Sequence, residues 1–122
     1  MQIGDLIREN NRKEIQISKL ELDRYRKFKI LREQAEFCES TDTEQIHVLA
    51  DITNEIATLK KEVKTNNIKI QKAIEKTENL TLLQLYFCRY ELKLTIEKCA
   101  EKINYSTKQT TRLLQKLQAI EI

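Results

Sequence analysis

The 122-residue chain has one Gly, no Pro and no Trp, with charged residues at 34% and hydrophobic residues at 40%. It lacks the punctuation that β-sandwiches, barrels and Gly-rich phosphate loops need, so an all-α fold of long exposed helices is expected. The net charge of +3 is confined to residues 79–122, which carry seven Lys/Arg against four acids, while residues 1–78 balance fifteen against fifteen.

No apolar run approaches the ~20 residues that a membrane span requires. The start, "MQIGDLIREN", shows no basic region followed by an apolar core, so no secretory signal is expected. Cys38, Cys88 and Cys99 form no C-x-x-C pair and His47 is the only histidine, which leaves no zinc-ligand spacing. The chain therefore reads as cytoplasmic and reduced, with no metal and no cofactor.

In chain order, residues 5–38 form a first helix with an apolar stripe of Ile17, Leu20, Phe28, Leu31, Ala35 and Cys38. Ile15, Leu22 and Tyr25 lie on a different flank, free for a second subunit. "ESTDTEQ" breaks the helix, since short polar side chains compete for backbone amides, and Thr41 or Thr43 can cap the second helix. Residues 44–78 carry Leu49, Ile56, Val63 and Ile70 seven apart, with Ile52, Leu59, Asn66 and Ala73 three residues on. That is an a/d seam. It suits packing on the first helix as an antiparallel hairpin; Asn66 in the seam would equally set register in a parallel dimer. Residues 1–78 are thus a helical hairpin or coiled-coil arm, and residues 79–122 a separate small bundle.

"LTLLQLYFCRY", residues 80–90, should be the buried centre of that bundle. Thr95 caps a helix over Ile96–Ile103, and Ser106 with Gln109 forms a capping box for the next. Ala100 is small where two helices would cross, Asn104 tolerates the positive φ of a tight turn, and Ile103 and Leu113 close the junction under Tyr105. This is the pattern of a DNA-binding helix-turn-helix. Thr110 sits at an inward site and its hydroxyl needs an acceptor. Leu113, Leu114 and Leu117 face inward; Ser106, Thr107, Lys108, Gln109, Thr111, Arg112, Gln115 and Lys116 are the candidate DNA contacts. Arg pairs with guanine and Gln with adenine, while Ser, Thr and Lys commonly take phosphate.

Residues 82–117, "LLQLYFCRYELKLTIEKCAEKINYSTKQTTRLLQKL", resemble region 4 of bacterial sigma factors. The shared features are Arg89-Tyr90, Leu94-Thr95, Glu97 and Ala100, then Asn104-Tyr105-Ser106 opening the recognition helix; Cys99 and Thr110 depart from the usual Ile and Val. The whole chain is similar to small phage proteins of Gram-positive hosts that join a charged coiled half to such a sigma-like end. The resemblance implies a bacteriophage transcriptional regulator that binds double-stranded DNA in the bacterial host cell, with contact to RNA polymerase. No domain for promoter melting accompanies it. Two rival readings remain open: a module that binds or inhibits a host protein through its arms, and a small-terminase-like packaging protein. An enzyme is not expected, because no convergent catalytic set is present. A homodimer is expected from the unused flank of the first helix.

Overall fold

The computed structural model describes residues 1–37 and 43–122, with backbone alone for residues 35–37. Among the described residues the chain is all-α: α1 (Ile3–Phe37), α2 (Thr43–Glu75), α3 (Leu80–Tyr86), a π-helical turn (Phe87–Glu91), α4 (Ile96–Ile103) and α5 (Thr107–Gln118). No described helix is long and apolar enough to cross a membrane. α2 begins at Thr43, which is therefore a helical residue rather than the cap. Ser40, Thr41, Asp42 and Cys38, with the side chain of Ala35, lie outside the described residues.

Two compact units form: Asn10–Thr65, and Met1–Glu9 together with Asn66–Ile122. In the first, α1 and α2 pair as an antiparallel hairpin. Ile17, Ile52, Ile56 and Leu59 are buried together, with Leu20 and Val63 against them, and Leu49 is half-buried. Lys13 meets Glu62 at 3.0 Å and Glu21 meets Lys60 at 3.2 Å; Arg24 reaches Thr53 at 3.5 Å. Such exposed ion pairs contribute up to about 1 kcal/mol each, whereas a buried Leu or Ile contributes about 1.5–3. The apolar seam holds the hairpin. It leaves Phe28, expected in the stripe, 54% exposed in a cleft beside Leu49 and Thr53.

The second unit gathers both long-helix ends around the short helices. Ile3, Leu6 and Ile7 from α1 and Ile70, Ala73 and Ile74 from α2 are buried with Leu82, Tyr86 and Leu117. The two compact units thus divide at residues 9/10 and 65/66. Three short helices enclose little core on their own, and a two-turn apolar face from each long helix completes it. The chain ends are tied as well: the Ile3 N–H donates to the Ile120 carbonyl at 2.9 Å and the Ile122 N–H to that of Met1 at 3.0 Å. A Cβ on Gly4 would stand 3.1 Å from the Gln118 carbonyl oxygen and 3.2 Å from its Cβ, so glycine is what lets the first turn of α1 lie against the end of α5.

α3 is capped by Asn79, whose side chain accepts the Leu82 N–H at 3.2 Å. Burial of residues 80–90 is one-sided. Leu82, Leu85, Tyr86 and Cys88 are buried, while Leu80 and Phe87 are exposed at 75% and 48%. The π-helical turn returns the Leu92 N–H to the Phe87 carbonyl at 2.9 Å, and the Arg89 guanidinium donates to the Leu94 carbonyl at 2.8 Å.

The composite core carries a direct prediction. Leu6→Ala should destabilise this unit by about 2–5 kcal/mol, the usual result of truncating a buried Leu. Hydrogen exchange should show lost protection at Leu114 and Leu117 amides, more than ninety residues away in sequence. Unchanged protection there would detach residues 1–9 from the bundle.

Candidate nucleic-acid interface

α4 and α5 are joined by Asn104, Tyr105 and Ser106. Thr95 caps α4, its hydroxyl accepting the Lys98 N–H at 3.3 Å. Where α4 meets α5, Cys99 and Ala100 are buried at 0% and 4% exposure. Asn104 then takes the left-handed conformation, φ 61° and ψ 40°. The Tyr105 N–H returns to the Ala100 carbonyl at 3.0 Å, satisfying a helix-end acceptor that would otherwise be orphaned. Tyr105 itself is exposed.

Ser106 opens α5 with a complete capping box. Its hydroxyl accepts the Gln109 N–H, and Gln109 Oε1 accepts the Ser106 N–H, both at 3.1 Å. Thr110 is fully buried, and its hydroxyl donates to the Ser106 carbonyl at 2.9 Å. Its acceptor is therefore one turn back on its own helix. Leu114 and Leu117 are buried and Leu113 half-buried. Leu114 shares a cluster with Leu85, Cys88 and Cys99. Burial, with Cys88 second, pushes the Cys99 thiol up, so it stays protonated and packs as a small hydrophobe.

Ser106, Thr107, Lys108, Gln109, Thr111, Arg112, Gln115 and Lys116 all lie exposed on one helix. They are not equally free. The Ser106 hydroxyl and Gln109 Oε1 are engaged in the cap, which leaves only the Gln109 Nε2 for a base. The Thr111 hydroxyl donates to the Thr107 carbonyl at 3.0 Å. Lys108, Arg112 and Lys116 recur four apart with no ion-pair partner among the described residues, and the first turn of α5 holds no acid. Of the arm residues, Leu49, Ile52, Ile56, Leu59 and Val63 belong to the hairpin unit, whereas Ile70 packs under this bundle.

The sequence reading missed what supports α5 from behind. Ile3, Leu6 and Ile7 were legible as an apolar face at helical spacing, and they share a core with Leu117. No family model, no curated protein and no solved structure matches this chain. The case for the α4–α5 pair accordingly rests on its geometry.

That geometry depends on close packing at Ala100 and on the Ser106 cap. Ala100→Leu should cost about 1–3 kcal/mol by overpacking the crossing, with Ala100→Ser mild. Ser106→Ala should cost about 1 kcal/mol through lost capping. Denaturant melts of the three variants test both; a parental midpoint for Ala100→Leu would mean that the crossing is loose.

Proposed function

We propose that this chain is a phage-type transcriptional regulator that binds double-stranded DNA through α4 and α5 and contacts RNA polymerase or another host protein while bound. The observation that carries the reading is the row Lys108, Arg112 and Lys116: cationic, exposed and unpaired on a capped helix whose opposite side is buried. An unpaired row has little stabilising use within its own fold, because no carboxylate among the described residues answers it. Phosphate would. Arg112 and Gln115 have the donor and acceptor geometry for guanine and adenine edges in a major groove, and Thr107, Lys108 and Lys116 suit phosphates. The backbone amides at the α5 N-terminus add a positive end for one more phosphate.

A dimer belongs to this reading. Ile15 and Leu22, seven apart on α1, are 57% and 49% exposed, and two such residues two turns apart on one face suit a partner helix. Tyr25 departs from that flank and lines a cleft of the hairpin. The same exposed flank is what favours the rival reading of an arm that captures a host protein.

Arg112→Ala should weaken binding to a preferred duplex by about 1–3 kcal/mol and relax preference at one position. Lys116→Ala should weaken binding to all duplexes alike and lower the salt slope by roughly 1. Fluorescence anisotropy at two salt concentrations reads both. Wild-type protein without salt-sensitive duplex binding would end the DNA reading.

Light scattering at micromolar concentration should give about twice the 14.5 kDa chain mass, and Leu22→Asp should return it to the monomer value. A monomeric wild type refutes the dimer and leaves the DNA reading standing.

A further inference from the structure

The hairpin unit carries a second cationic feature that the reading of α5 does not use. From Arg24 to Arg32 the chain has five Lys/Arg and no acid, a denser run than the row on α5. Tyr25 and Phe28 stand within it, 64% and 54% exposed. Both rings line one open cleft of about 590 Å³, together with Glu21, Arg24, Leu49 and Thr53. The Arg24 guanidinium reaches the Thr53 hydroxyl at 3.5 Å, and Glu21 is held by Lys60 at 3.2 Å. Lys29 and Arg32 come four residues after Tyr25 and Phe28, one turn on along the same side of α1. Both are exposed and have no ion-pair partner among the described residues.

A simple solvated charge face has no use for two bare aromatic rings in one cleft. Rings beside cations are the combination that stacks nucleobases and takes the adjoining phosphates. A duplex hides its base faces, so these rings reward only unpaired bases. Glu21 would repel phosphate, but it can accept from the exocyclic amine of a base; the Thr53 hydroxyl is already engaged, donating to the Leu49 carbonyl at 2.9 Å.

We propose that Tyr25, Phe28 and their cleft, with Lys29 and Arg32, bind single-stranded nucleic acid: one base against the rings, its phosphates on the cations. The site lies wholly within Asn10–Thr65 and stands or falls apart from duplex binding by α5.

The test is anisotropy of the full chain with labelled oligodeoxycytidylate, oligocytidylate and a duplex. The single strands should bind at low salt, and excess duplex should displace them poorly. Tyr25→Ala and Phe28→Ala should each weaken single-strand binding roughly fivefold or more, as loss of a stacked base does; Tyr25→Phe should keep it. Lys29→Gln with Arg32→Gln should flatten its salt dependence, while Arg112→Ala should leave it unchanged. Circular dichroism controls for folding, and both rings are exposed enough to be removed without loss of core. Tighter binding of either single strand names the sugar it prefers and supports the site. Four results would overturn it: no single-strand binding, binding indifferent to both ring truncations, loss on Arg112→Ala, or ready displacement of the oligonucleotides by phosphatidylglycerol vesicles.

Discussion

The left-handed turn at Asn104 is the constraint on which the α4–α5 pair depends. A helix that must stop and reverse within three residues needs one residue at positive φ, and the only glycine of this chain is spent at position 4. Glu78, Lys93 and Asn104 therefore supply the positive φ values, at 57°, 55° and 61°. A non-glycine residue there costs about 1–2 kcal/mol, and Asn tolerates it best. Of the three, the α4–α5 turn has the most tolerant residue. What holds the turn in place is burial on both sides of it, Cys99 and Ala100 before and Thr110 and Leu114 after.

Thr110 shows how that burial is reconciled with a polar atom. An unpaired buried hydroxyl would cost about 1–3 kcal/mol, whereas a satisfied one is close to neutral. Its bond to the Ser106 carbonyl, which also accepts the Thr110 N–H at 2.9 Å, adds to the bonds of the capping box on the same residue. The first turn of α5 is consequently fixed from within. Gln109 is half committed to that cap, while Arg112 and Gln115 project from a helix already held by Leu114 and Leu117.

The local elements were legible because their signals are short-range. Thr95, Asn104, Ser106 and Gln109 act within four residues, and the a/d spacing of Ile52, Ile56 and Leu59 needs only the helix period. The division of the chain was not legible in the same way. Ile3, Leu6 and Ile7 look like the start of one long helix, and nothing local shows that they pack with Leu117 while Ile17 packs with Ile56. Phe28 failed for a related reason: its spacing fits the seam, but burial depends on how closely the opposite helix approaches, and there the ring is left in an open cleft beside Leu49 and Thr53. Residues 80–90 were too apolar to reveal which side would stay exposed.

Net charge is a poor guide to where anions would bind on this chain. Arg89, one of the seven cations behind the C-terminal excess, is turned onto the Leu94 carbonyl. Residues 10–65 balance eleven Lys/Arg against eleven acids, yet Lys13, Lys27 and Lys60 take up Glu62, Asp23 and Glu21 and leave Lys29 and Arg32 without ion-pair partners among the described residues. What surrounds the remaining cations separates the two surfaces. On α5 the neighbours are Gln115 and Thr111, whose amide and hydroxyl would, on the proposed reading, suit the edges of paired bases. On α1 the neighbours are the faces of Tyr25 and Phe28, which offer no edge contacts but stack on any base free of its partner. Phosphate would draw nucleic acid to either surface, and the neighbouring side chains decide which form of it could stay.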